Sequence, residues 1–114
     1  MYDDFVEVCK PIKDINPVFP FEVTVAKPRK RPTLTGGTDA SVFDMRGVPA
    51  ISFREADFKG YNFNYGEIWH TERDLYTKSI PEYMEHTSVV TAIVALGVAN
   101  LKNLLSREGM YVEE

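Results

Sequence analysis

The chain has 114 residues and a mass of 13.0 kDa, which fits one domain or one piece of a larger one. With 44% hydrophobic and 26% charged residues, its composition is that of a globular chain and excludes wholesale disorder. A single cysteine, Cys9, excludes an intramolecular disulfide and a multi-cysteine zinc site, and a net charge of -4 argues against general nucleic-acid binding.

Residues 2–10 read as a short helix with Phe5, Val6 and Cys9 on one face, ended by Pro11. The start, Met1-Tyr2-Asp3-Asp4, is acidic where a signal peptide would be basic. Asn16-Pro17 and Pro20 break regular structure. Residues 21–25, Phe-Glu-Val-Thr-Val, alternate apolar and polar with the period of a strand. A basic loop bracketed by Pro28 and Pro32 follows, read as a solvated turn, with attraction of an anion or a substrate carboxylate as the alternative. Gly36-Gly37 supplies a turn, and Thr38 or Asp39 is positioned to cap a two-turn helix over 40–46. Gly47 sits where a left-handed C-terminal cap belongs, and residues 48–53 read as a buried strand.

Residues 55–67 form a long loop carrying Phe58, Tyr61, Phe63 and Tyr65. After it comes the strongest periodicity in the chain. Ser79 reads as an N-cap and Pro81 as a first-turn residue. Val90, Val94, Val98, Leu101 and Leu105 recur at helical spacing, so one long helix is expected over 81–107, ended by Gly109. The longest apolar stretch, 89–99, is too short to span a membrane, and a soluble chain is expected. Strands alternating with helices imply an α/β domain, with short strands packed on the long C-terminal helix.

Two histidines can carry chemistry. His86 lies within the final helix beside Glu82 and Glu85 and reads as an ordinary helix residue. His70 follows Trp69 at the end of the aromatic loop and precedes Thr71-Glu72-Arg73-Asp74; a neutral imidazole is the commonest metal ligand. No His-Glu-x-x-His motif accompanies it.

The segment from Thr35 to Ala50, Thr-Gly-Gly-Thr-Asp-Ala-Ser-Val-Phe-Asp-Met-Arg-Gly-Val-Pro-Ala, resembles the "Gly-Ser/Thr-Asp … Phe … Gly-Ile/Val-Pro-Ala" segment of the zinc-dependent exopeptidases. That superfamily holds bacterial leucyl aminopeptidases, carboxypeptidase Q and the glutaminyl cyclases. Ile68-Trp69-His70-Thr71-Glu72-Arg73-Asp74 is similar to its "Trp/Tyr-His-Ser/Thr-x-x-Asp" segment, which a long C-terminal helix follows. The resemblance covers roughly residues 17–105. It implies the C-terminal portion of a three-layer α/β fold, with residues 1–114 a partial peptidase domain. It implies His70 as a zinc ligand and peptide-bond hydrolysis through a metal-bound water, with two zinc ions in the complete enzyme.

By the same resemblance, Asp39 and Asp74 would support the metal site, with helix-cap and turn roles as their local alternatives. Tyr61, Phe63 and Tyr65 would wall the cleft for a peptide substrate, with ordinary packing of the aromatic loop as the local alternative. The family's other ligands and its glutamate base match no segment of this sequence. The chain alone is therefore expected to be inactive, with no residue assigned as catalytic. Two further readings stay open. One is a segment of a glutaminyl-cyclase-like acyltransferase with a single zinc. The other is a non-catalytic interaction module that pairs an exposed sheet edge or helix face with another chain, self-association through the sheet edge being expected as well.

Overall fold

Two helices meet because each carries one apolar face. In the computed structural model, which describes residues 1–33 and 36–112, α1 spans Tyr2–Ile15 and α4 spans Pro81–Ala99. Between them lie two short helices, α2 (Ala40–Met45) and α3 (Tyr65–Ile68), and a 3-10 turn over Tyr76–Lys78. Cys9 and Ile12 of α1 and Val90 and Val94 of α4 form the buried core, with Phe5, Phe21, Val23, Ile93 and Val98 packed around it. Ile12, 2% exposed, lies deepest. Gly97 allows the crossing: a Cβ there would overlap Val8 Cγ1 and lie 3.1 Å from Val8 Cβ.

The expected α/β architecture is not what forms. Among the described residues there is no sheet; the one β-type pairing is an isolated parallel bridge between Arg29 and Tyr111. Residues 21–25 and 48–53, read as strands, join no ladder and have no regular secondary structure. Alternation reports that one face of a segment is covered, and it does so correctly here: Phe21 and Val23 are half-buried against the core while Glu22 and Thr24 are exposed. A strand also requires a neighbour to accept its amides and supply its carbonyl partners. None is present for either segment among the described residues, and Ile51 and Phe53 remain exposed. With no sheet among those residues, the sheet edge proposed for self-association is absent too.

Three boundaries also differ. Pro11 does not end α1, which runs on to Ile15. Proline removes the amide that would bond to Glu7, yet stopping there would expose Ile12, so burial outweighs the lost bond. At the start of α4 the N-cap is Ile80, with Pro81 in the first turn; Ser79 instead donates its hydroxyl to the Tyr76 carbonyl, 2.6 Å away, closing the 3-10 turn. At its far end α4 stops at Ala99 rather than 107, with Asn100 Nδ2 bonding back to the Leu96 carbonyl at 2.8 Å. No helix of the described residues is long and apolar enough to cross a membrane.

The C-terminal segment returns to the middle of the chain. Tyr111 donates its hydroxyl to Asp44 Oδ1 at 2.6 Å, and Arg29 forms an ion pair with the same carboxylate. The Tyr111 bond, against a smaller opposing effect of burial and with help from Arg29, holds the Asp44 carboxyl below its usual range. The Arg31 guanidinium lies 4.9 Å above the Tyr111 ring and against Gly47, whose φ of 70° makes it the left-handed cap expected for α2. The outer face of α4 is mixed: Met84 and Leu96 are 57% and 68% exposed, among the exposed polar residues Glu85, Ser88 and Thr91. The radius of gyration, 16.1 Å, exceeds the roughly 13 Å of a compact domain of this length.

Candidate functional site

His70 occupies an unusual backbone position. Ile68 accepts a hydrogen bond from the Thr71 amide at 3.1 Å, closing a four-residue turn. Trp69, at φ -57° and ψ 119°, and His70, at φ 55°, give this turn the dihedral signature of type II. The third position of such a turn belongs to glycine, because a Cβ there crowds the backbone. Histidine holds it here. The Thr71 hydroxyl fixes the turn by donating to the carbonyls of Ile68, at 2.9 Å, and Glu67, at 3.1 Å. The Asp74 amide then bonds to the Thr71 carbonyl at 3.2 Å. α3 leads into the turn and is capped by Asn64 Oδ1, which accepts from the Gly66 amide at 3.0 Å. The imidazole is solvent-exposed and lies edge-on to Trp69, with ring centroids 4.4 Å apart.

The aromatic loop before this turn is built on a carboxylate. Asp57 Oδ1 accepts from the Tyr61 amide at 2.8 Å and from the Tyr83 hydroxyl at 2.8 Å, and Oδ2 accepts from the Phe63 amide at 3.0 Å. The Lys59 amide in turn donates to the Tyr83 oxygen at 3.0 Å. Burial pushes the Asp57 carboxyl up, but the Tyr61 amide, the Tyr83 hydroxyl and the Phe63 amide together outweigh it and hold the group below its usual range. Tyr83, 3% exposed, thus ties the loop to the first turns of α4. Its own hydroxyl titrates above the usual tyrosine range, chiefly through burial and also through the anionic Asp57 it bonds. Phe19, Phe58 and His86 stack beside it, the Phe19 and His86 rings 4.3 Å apart and nearly parallel. Lys59 pairs with Glu82 across this cluster.

Between the loop, residues 74–80 and the start of α4 lies a cleft of about 590 Å³, within the range that holds a small organic ligand. Phe63, Tyr83, Leu75 and Ile80 line it, and Glu55 and Asp74 bring carboxylates to its lining. Ile68, the first residue of the His70 turn, reaches the same cleft. A smaller adjoining hollow of about 150 Å³ is lined by Tyr61 and Phe63. Of the three aromatic residues expected to wall a cleft, Phe63 and Tyr61 line one or both of these spaces. Tyr65 instead packs against Trp69, with centroids 6.4 Å apart.

Asp39 stands at the N-cap of α2 but makes no side-chain cap bond, and its backbone is already helical. Ser41 does the local work instead, accepting from the Gly36 amide at 3.3 Å and donating to the Thr38 carbonyl at 2.6 Å. Thr35, the first residue of the motif, lies outside the described residues.

A model of peptidase family M28 matches residues 13–95, most of the chain and both of its motifs. The chain belongs to peptidase family M28. Members of this family are generally zinc-dependent peptidases, so its relationship is to the metallopeptidases among the hydrolases. No curated protein and no solved structure matches the sequence. Among the described residues no three His, Cys, Asp or Glu side chains converge where they could hold an ion. A typical catalytic zinc takes three protein ligands, more than the lone imidazole of His70 could supply. No reaction step through a metal is therefore assigned to this chain.

Sequence reasoning missed three residues of this loop and cleft. Asp57 gave no signal, because the groups it gathers from Tyr61 and Phe63 are backbone amides, which no residue type announces. Tyr83 and Glu55 gave no local signal, because their partners lie 26 and 32 residues away in sequence.

Proposed function

We propose that this chain is the part of a zinc-dependent exopeptidase that presents His70 to one zinc ion and forms one side of the substrate cleft. The observation that carries this reading is the left-handed backbone of His70 within a turn whose geometry favours glycine. Strain of this kind persists where the surrounding structure over-determines it, and it concentrates at functional sites. The Thr71 bonds and the capped α3 supply that over-determination. Family membership supplies the chemistry: an imidazole following Trp69 in the motif that resembles the final ligand segment of these peptidases. Two zinc ions, a shared water and a glutamate base belong to the complete centre in this reading. Asp74 supports the site from the cleft side. Asp39, exposed at the start of α2, supports it from the other motif. Tyr61 and Phe63 wall the cleft, and Tyr65 braces Trp69.

One donor does not make a zinc site, so the chain by itself hydrolyses no peptide. Zinc calorimetry on the 114-residue chain, with His70→Ala as control, tests this together with an aminoacyl-anilide hydrolysis assay. Weak binding that His70→Ala weakens further, with no turnover, is the expected result. Tight stoichiometric binding unchanged by His70→Ala would overturn the assignment of His70. Tight binding lost in that variant, or turnover by the chain alone, would overturn the one-donor reading.

A further inference from the structure

The lining of the cleft is unevenly charged. Much of the lining is apolar, with Phe63, Leu75, Ile80 and Met84 beside the hydroxyls of Ser79, Thr87 and Ser88. The carboxylate of Glu55 also faces it, half-buried and held by the Thr87 hydroxyl of α4. Asp74 lines it too, against a single cation, the exposed Lys78. Fixing a carboxylate beside apolar walls favours one kind of guest. That guest has an aliphatic stem, which gains by leaving water, and a cationic head, which meets an acceptor already in place.

We propose that Glu55 makes this cleft selective for a cationic amino-acid side chain, with an ammonium or guanidinium head on an aliphatic stem. The inference rests on the reading of the cleft as the substrate side of the site. It adds a specificity-determining residue, Glu55, positioned by Thr87. The Thr87 hydroxyl donates to one Glu55 oxygen, which leaves the carboxylate's other lone pairs for a guest.

The test uses the 114-residue chain and two probes of similar stem whose α-nitrogens are acetylated, so that only the side chain differs in charge: Nα-acetyl-L-arginine amide and Nα-acetyl-L-norleucine amide, titrated by calorimetry or by NMR. Arginine amide is expected to bind about fivefold to tenfold more tightly, as a half-buried charge-assisted contact provides. Glu55→Gln, which keeps an oxygen for Thr87, is expected to remove that preference, while Asp74→Asn leaves most of it. Raising salt from about 20 to about 300 mM is expected to weaken arginine amide alone, a check that needs no variant to fold. Equal binding of the two amides, no binding of arginine amide, or a preference that follows Asp74 rather than Glu55 would overturn the proposal. Zinc titration of the same samples reports on His70 independently. A failed amide preference with the His70 result intact rejects Glu55 alone, and the converse rejects the His70 reading alone.

Discussion

Val8 of α1 fills the space that a side chain at position 97 of α4 would need. Glycine inside a helix costs about 1 kcal/mol relative to alanine, so on propensity alone Gly97→Ala should stabilise α4. Here the added methyl would overlap Val8, a branched side chain at the helix crossing. Gly97→Ala is expected to lower stability by about 1–3 kcal/mol in urea denaturation, as overpacking does. Val8→Ala in the same chain is expected to recover most of that loss. A stabilised single variant would mean that the two helices do not approach as closely as described.

Pro11 is the complementary case. It lies on the exposed side of α1, where it withholds an amide from the Glu7 carbonyl while its neighbour Ile12 anchors the core. Pro11→Ala restores the bond and removes the clash of the ring with the preceding turn. Interior proline costs about 3 kcal/mol relative to alanine, offset in part by the freedom the unfolded chain regains, so a gain of about 1–2 kcal/mol is expected. Circular dichroism during thermal unfolding measures it. Ile12→Ala, by contrast, should cost about 2–5 kcal/mol.

Acid should loosen the aromatic loop. The Asp57 and Asp44 carboxyls titrate below their usual range in the folded chain. The unfolded state therefore takes up protons first as pH falls. Stability contributed by these groups is complete above the ordinary carboxylate pKa of about 4 and is lost as pH drops through their lower folded values. The thermal midpoint is expected to be level between pH 7 and 5 and to fall below pH 4. Asp57→Asn, whose amide cannot accept at both former oxygens, should start with a lower midpoint at pH 7 and lose less of it on acidification. Parallel curves for the two proteins would remove Asp57 from the explanation.

What could be read from the sequence was set by how local its cause is. Pro81 in a helix first turn, Gly47 as a left-handed cap and the inward face of α4 through Val90, Val94 and Val98 depend on a few neighbouring residues, and each is present. The segments 21–25 and 48–53 failed as strands because pairing depends on a distant partner that no alternation encodes. Leu101 and Leu105 continue the apolar period past Ala99, yet Asn100 closes the helix by bonding back to Leu96. At the site, the motif around His70 was legible as a family pattern, but its turn geometry was not, since histidine is a poor guide to a left-handed position. The Asp57–Tyr83 and Glu55–Thr87 bonds, each joining loop to helix across more than twenty residues, lay beyond any local reading.

The backbone at His70 makes a prediction that separates function from stability. An L-residue in the left-handed region costs about 1–2 kcal/mol relative to glycine, part of which glycine returns through its greater unfolded-state freedom. His70→Gly is therefore expected to be as stable as the parent or more stable, by up to about 1 kcal/mol, and His70→Ala less stable than His70→Gly by about 1 kcal/mol. Urea midpoints of the three proteins give the order directly. If histidine is kept at this position for its imidazole, the glycine variant gains or holds stability while losing whatever zinc affinity the chain has. If His70→Gly is instead destabilised by more than 1 kcal/mol, the ring contributes to folding through its contact with Trp69. The strain would then have a structural explanation, and the metal-ligand assignment would lose its main support.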